Sequence, residues 1–381
     1  MLSTPPIFLP TSFDRTAKWM RRGGQENDVV ISSRVRLARN FRRFSFPHRA
    51  DSSDLLLIRQ RVYEALNAIT ETPGGLRDAR FLPFEEFTGW ERQSLIDRHL
   101  TSREHVKQEL GRGVAALSDA SVAVLINEED HLRLQSLLPG LQLDAAHALV
   151  DRLDDALEAH FDERSAFAWT ESFGFLTACP TNAGTGLRAS VMLHLPALEI
   201  SERIAQARRW TENKGLALRG TFGEGSKVWG HLHQVSNQTT LGLDEADILL
   251  EVEAAARELC NLERQAREEL PDKFALATRD RIGRAYGILR YAHSLSCREA
   301  TDCLSMLRLG HELGWLKALP RQRFNELLVW IRPAYLQVLH GRSLPGEERD
   351  TLRAELLRPH VARLKLDAQL SGEQKSETPP R

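Results

Sequence analysis

The chain has 381 residues, enough for one large domain or two, and its 42% hydrophobic share is ordinary for a globular protein with a sizeable core. Lys and Arg number 51 against 52 Asp and Glu, a net charge of -1, which argues against a general nucleic-acid binder because such proteins carry a basic excess. The four cysteines lack C-x-x-C spacing, "MLSTPPIFLP" lacks the features of a signal peptide, and no apolar run approaches the roughly 18 residues of a membrane span, so a reduced cytoplasm is the expected home.

Residues 1–27 read as a loose leader with a short amphipathic piece, "FDRTAKWMRR". "DVVISSRVRLARNF" begins as a strand at residues 29–31, and its alternation puts Arg34 and Arg36 on one face. "SSDLLLIRQRVYEALNAI" has helical periodicity and runs to the stop signal "TPGG". "SVAVLINEEDHLRLQSL" is an apolar strand entering a polar turn, and "DAAHALVDRLDDALEAHF" is an amphipathic helix. "FGFLTAC", "LRASVMLHL", "LALRGTF" and "HLHQVSNQTT" read as strands. Antiparallel pairs interleaved with long helices predict an α+β fold, an antiparallel sheet flanked by helices. From "LDEADILLEVEAAARELCNLERQAREEL" onwards the pattern is almost wholly helical. The expected organisation is therefore a leader (1–27), an α+β domain (28–258), an all-α domain (259–368) and a polar tail (369–381) that is expected to be disordered.

The chemistry-bearing residues come in short blocks. No Walker A pattern is present, and "GEGSKVWG" lacks the companion motifs of a protein-kinase glycine loop. His231 and His233 in "HLH" lack a third partner and read as ordinary surface or pocket histidines. "SSRVR" offers Arg34 and Arg36, "NEEDHLR" offers Glu128, Glu129, Asp130 and Arg133, "GTGLRAS" offers Arg188, and "RGTFGEG" offers Arg219 and Glu224. Each block alone could be a solvated loop. Together, five arginines could neutralise a triphosphate while two glutamates hold a cationic acceptor, a phosphoryl-transfer site without a P-loop.

In order and spacing, "SSRVRLARN", "NEEDHLR", "CPTNAGTGLRAS" and "RGTFGEGS" resemble the catalytic domain of the ATP:guanido phosphotransferases, over residues 28 to 258. With only residues 1–27 ahead of the similarity, the helical domain that precedes this one in the metabolite kinases is not expected here. Its later helical part carries "RDTLRA", residues Arg349, Asp350, Thr351, Leu352, Arg353 and Ala354. That block is similar to the phosphoarginine-binding motif of bacterial protein-arginine kinases of the McsB type. The resemblance implies transfer of the ATP γ-phosphoryl group to protein arginines, with Mg²⁺ on the nucleotide. It also implies marking of substrates for a Clp-type protease, a possible activator protein, and a homodimer or larger assembly. A kinase for a small guanidino metabolite and a non-catalytic phosphoarginine reader are the alternatives.

By motif position, the resemblance assigns ATP contacts to Ser32, Ser33, Arg34, Val35, Arg36, His99 and Arg133. It adds Arg188, Ala189, Ser190, Val191 and Met192, then Arg219, Gly220, Thr221, Phe222, Gly223 and Glu224. Glu129 and Glu224 would grip the acceptor guanidinium, with Glu224 as base and Glu129 as the main orienting partner. Cys179 would support the acceptor rather than attack it. No protein side chain is expected as a direct metal ligand. Arg349 and Arg353, four apart, would share the helix face that binds phosphoarginine.

Overall fold

The structure is a computed structural model and describes residues 17–70, 76–161, 167–220, 228–317 and 319–367. Among the described residues, twelve α-helices and ten strands build the fold, besides a short two-stranded pair of Leu316–Lys317 with Lys365–Leu366. The strands are β1 (Val30–Arg39), β2 (Arg80–Pro83), β3 (Gly113–Ala116), β4 (Val122–Ile126), β5 (Leu132–Pro139), β6 (Trp169–Thr170), β7 (Gly174–Phe175), β8 (Leu187–His194), β9 (Leu216–Gly220) and β10 (Leu232–Asn237). The helices are α1 (Lys18–Arg21), α2 (Ser52–Ala68), α3 (Gly89–Asp97), α4 (Leu143–His160), α5 (Pro196–Ile200) and α6 (Ile204–Asn213). The helical part follows with α7 (Glu245–Lys273), α8 (Ala275–Tyr291), α9 (Cys297–Glu312), α10 (Arg321–Trp330), α11 (Pro333–His340) and α12 (Gly346–Val361).

Eight strands form one antiparallel sheet in the order β2-β3-β4-β5-β1-β8-β10-β9, with β1 at its centre. Because side chains alternate along a strand, β1 sends Val35 and Leu37 to one face and Arg34 and Arg36 to the other. Val35, Leu37, Leu134, Ala189, Val191 and Val235 meet apolar residues of α2, α4 and α7 in the main core. Each fully buried Val, Leu or Ile there contributes about 1.5–3 kcal/mol of apolar transfer energy. A β-bulge between Val30 and Ser32 resets the alternation before the arginines arrive.

The opposite face carries a second apolar cluster only towards one side, where Trp19, Leu95, Leu137, Leu232, Val329 and Tyr335 come together. The segment expected to be a loose leader is therefore packed from Ala17 onwards. Trp19 and Met20 are buried because α1 lies against α10 and the sheet. The clefts described below lie on this face, the second of them against this cluster.

Helix α7 runs unbroken from the α+β part into the helical part. Its fully buried Glu263 accepts hydrogen bonds from the Ala197 and Leu198 backbone N–H groups (3.1 and 3.0 Å) and pairs with Arg267 at 2.9 Å. Burial pushes that carboxyl up to about 7, against the pull of Arg267. The four cysteines, Cys179, Cys260, Cys297 and Cys303, are all free thiols. Among the described residues, no helix is long and apolar enough to cross a membrane.

Candidate active site

The registers of three strand pairs bring the arginines together. Arg36 pairs with Arg188 across β1 and β8, Arg133 of β5 stands opposite Ala38, and Arg219 of β9 stands opposite Gln234. Arg34, Arg36, Arg133, Arg188 and Arg219 all line one cleft of about 340 Å³, together with Glu129, Cys179 and Asn182. The Arg34 Nη2 group donates to Gln234 Oε1 at 3.0 Å. Burial, with repulsion from Arg188 and Arg133, pulls the Arg34 guanidinium down to about 10. Burial and the same kind of crowding also hold Arg36 well below its ordinary value, partly offset by Glu128. Confined like charges of this kind gain strongly from an anion placed among them.

The β4–β5 turn divides its three carboxylates among three tasks. Asn127 takes a left-handed φ of 57° and donates its side-chain N–H groups to the Leu55 and Gly111 carbonyls at 2.8 and 2.7 Å, which fixes the turn. Glu128 accepts from the Ser102 hydroxyl at 2.6 Å and lies 2.6 Å from Arg133. Glu129, with 44% of its side chain exposed, faces the cleft and meets Arg133 at 3.1 Å. Burial raises its carboxyl against the pull of Arg133, and Asp130 and Glu128 raise it further. Asp130 is fully buried and accepts from Asn40 Nδ2 at 2.6 Å and from the Ala178 backbone N–H at 2.7 Å. It thereby ties the turn to the segment that presents Cys179.

Cys179 precedes a single 3₁₀ turn, Pro180–Asn182, and its Sγ lies 3.0 Å from Thr181 Oγ1. The Thr240 hydroxyl hydrogen-bonds the Thr181 and Ala183 carbonyls at 3.1 and 2.6 Å and holds that turn in place. Gly184 follows with φ +106°, and a Cβ there would sit 2.8 Å from the Thr240 carbonyl oxygen, so only glycine fits.

A second cleft of about 280 Å³ continues from the first, sharing Arg34 and Gln234 with it. Ser32, His99, Ser190 and Met192 line it, with an otherwise mostly apolar surround. His99 takes a left-handed φ of 62° and meets Trp19 edge-on at 5.4 Å. Burial, aided by Arg34 and Arg332, drives its imidazole down to about 3, so the ring is neutral at physiological pH.

A polar, cationic cleft opening into an apolar one has the chemistry to accept a polyphosphate attached to an organic group. The pattern of the ATP:guanido phosphotransferase C-terminal catalytic domain matches residues 58–266. The chain belongs to the ATP:guanido phosphotransferase family. The pattern of the protein-arginine kinase McsB C-terminal domain matches residues 275–376 of this phosphotransferase. A protein-arginine kinase of Halothermothrix orenii is 41% identical over 90% of this chain and 96% of its own length. One of Moorella thermoacetica is 41% identical over 92% of this chain and 99% of its own. Among solved structures, the substrate-free duplicated taurocyamine kinase of Schistosoma mansoni is 27% identical with a TM-score of 0.53, covering 68% of this chain. The chain spans only 37% of that duplicated enzyme.

Not every residue expected at the nucleotide site of this phosphotransferase turns its side chain to a cleft. Ser33, Val35, Ala189 and Val191 are buried on the opposite face, and the Ser33 hydroxyl donates to the Gly140 carbonyl at 2.8 Å. Only their backbone can serve the site. Gly220 lines the first cleft, whereas Thr221, Phe222, Gly223 and Glu224 lie outside the described residues. His231 and His233 both meet Glu199, at 3.7 and 2.7 Å, and belong to neither cleft.

The "RDTLRA" block lies on α12, but its two arginines do not share an open face. Arg353 is buried, donating to the Ile331 carbonyl at 2.7 Å and to the Leu295 carbonyl, and pairing with Asp350. Ala354 is buried beside it, Arg349, Asp350 and Leu352 are half-buried, and Thr351 is exposed. Sequence reasoning had also passed over Gln234, Asn182, Asn40 and the structural task of Asp130. Alternation from Leu232 along "HLHQVSN" was the available signal for Gln234.

Proposed function

We infer that the protein transfers the γ-phosphoryl group of ATP to arginine side chains of proteins. The observation that carries this reading is the convergence of Arg34, Arg36, Arg133, Arg188 and Arg219 with Glu129 and Cys179 in one cleft. The five guanidiniums would hold the phosphates and stabilise the charge that spreads over the transferred group. A free guanidinium has a pKa above about 12 and is a poor nucleophile while protonated. Glu129 would orient the acceptor plane, and Glu224 would take the departing proton as the guanidinium nitrogen meets phosphorus. Cys179 would line the acceptor side.

Among the described residues, the carboxylates of Glu128 and Glu129 beside the cationic cleft are both engaged by Arg133. That fits a Mg²⁺ ion carried in on the ATP oxygens, where it would offset phosphate charge beyond what the arginines neutralise. Arg349 and Asp350 are the members of "RDTLRA" that could meet a phosphoarginine. Marking of proteins for a Clp-type protease, an activator protein and a homodimer belong to the same reading.

Incubation with Mg·ATP and either an arginine-rich protein or free arginine, followed by detection of acid-labile phosphate, tests it. Label on the protein is expected. Label on free arginine alone would establish a metabolite kinase, and no label on either would favour a phosphoarginine reader.

A further inference from the structure

The second cleft is not built by the α+β part alone. Its sheet-side wall comes from residues such as Ile31, Leu137 and Met192, but the facing wall is Leu328, Val329, Arg332, Pro333 and Ala334 of the helical part. Ser32, His99, Ser190 and Met192 of this cleft are residues that the family resemblance assigns to ATP; we propose that α10 and α11 complete the nucleoside side of that site, and that Asp97 holds their wall in place. The proposal rests on the kinase reading above.

Three observations carry it. First, the cleft continues directly from the arginine cleft through Arg34 and Gln234, so a nucleotide with its phosphates among the arginines has its nucleoside here. Second, the lining suits a base and a sugar: apolar surface, a neutral His99 ring, and a few polar groups that include Ser32 and Asp97. Its volume of about 280 Å³ lies near the lower end for small-molecule pockets.

The third observation concerns how the wall is fastened. Helix α11 begins at Pro333 with Arg332 as its N-cap residue, and no side chain of its own caps it. Its first N–H groups are instead satisfied from the other part of the molecule. Asp97 Oδ2, at the end of α3, accepts from the Ala334 and Tyr335 backbone N–H groups at 3.1 and 3.3 Å. A carboxylate at a helix N-terminus is the favourable arrangement, here reached across the junction. Asp97 is thus a positioning residue: it fixes the first turn of α11, and with it the placement of Arg332, Pro333 and Ala334. Occupation of the cleft by a nucleoside would bridge the two parts, and binding would then be linked to their docking.

Affinities of the full-length protein for Mg·ATP and for inorganic triphosphate, measured side by side, test this. Asp97→Ala is expected to weaken ATP binding about 10-fold or more, as loss of charge-assisted hydrogen bonds does, while leaving triphosphate affinity almost unchanged. Val329→Trp, which fills the cleft, is expected to do the same, and Asp97→Asn, which keeps an acceptor oxygen, should recover most of the loss. If Asp97→Ala fails to fold, hydrogen exchange on the unaltered protein decides the matter. ATP, and not triphosphate, should slow exchange at the Ala334 and Tyr335 amides. Equal losses for both ligands, or ATP binding without protection at those amides, would overturn the junction proposal and leave the kinase reading standing. No ATP binding by the unaltered protein would overturn both.

Discussion

Arg36 and Arg188 stand directly opposite each other across the β1–β8 ladder. Like charges in that relation oppose folding, and nothing in sheet architecture requires them. A polyphosphate placed beside the pair would relieve that repulsion. Arg188→Gln is therefore expected to stabilise the ligand-free protein slightly, by up to about 1 kcal/mol. The same change should cost roughly 10–100-fold in ATP affinity, the loss of charged hydrogen bonds to phosphate. Thermal unfolding with and without Mg·ATP reads both effects, and a destabilised free protein would argue against stored repulsion.

Glu129→Gln keeps the shape of the acceptor side and removes its charge. A fall in kcat of about 10²–10⁴-fold with little change in ATP affinity is expected, the range for loss of a positioned proton-handling or orienting group. The Glu129 carboxyl is raised from its ordinary value by burial and by neighbouring Asp130 and Glu128, against Arg133. On the proposal that Glu129 grips the acceptor guanidinium as a carboxylate, activity should decline on acidification earlier than for an ordinary glutamate. A pH–rate profile should show this acid limb in the native enzyme.

Asp130 acts through the Ala178 backbone, so its removal should separate acceptor handling from nucleotide handling. Asp130→Ala is expected to destabilise the fold by about 1–3 kcal/mol, since Asn40 and the Ala178 N–H lose their acceptor. KM for the protein substrate should rise more than KM for ATP. Cys179→Ser should retain most activity, and a complete loss would give the thiol a larger role than support.

The two arginines of "RDTLRA" should behave differently. Arg353→Ala strands the Ile331 and Leu295 carbonyls and should cost roughly 2–4 kcal/mol by denaturant unfolding. Arg349→Ala should leave stability within about 0.5 kcal/mol, as for most partly exposed positions. Its expected effect is on binding of phosphoarginine, measured directly by titration. Similar stability losses for both would contradict the division described here.

Glu263 supplies a pH signature of folding. Its carboxyl sits near 7 when folded, against an ordinary value of 4.5. Between those values the folded state holds a proton that the unfolded chain has released, so stability from this group falls as pH rises from about 4.5 to 7. Glu263→Gln should flatten that slope. Unfolding free energies of both proteins at pH 5 and pH 8 give the comparison.

The sheet was legible in the sequence where alternation was strong, and the helical part was legible from its 3.6-residue periodicity. Strand β1 was legible at its first residues and in the alternation that puts Arg34 and Arg36 on one face, while its full length to Arg39 was not, because Ser32, Ser33, Arg34 and Arg36 put polar letters in a largely buried strand. The site was legible as blocks, and those blocks do converge. What stayed hidden depends on long-range packing. Trp19 is buried by contact with α10, the sheet and His99, Arg353 resembles a solvated i,i+4 pair until α12 is docked, and Val329 and Arg332 become cleft residues only when the helical part closes on the sheet.

The bulge between Val30 and Ser32 sets the phase of everything that follows it along β1. Side chains repeat every two residues, so one inserted or deleted residue between the bulge and Arg34 would swap the two faces. Arg34 and Arg36 would enter the main core, and Val35 and Leu37 would line the cleft. Substitutions can tune this site one residue at a time, whereas a single-residue length change would lose the fold and the chemistry together. The spacing from Ser32 to Arg39 is therefore under a stricter constraint than the identity of its individual residues.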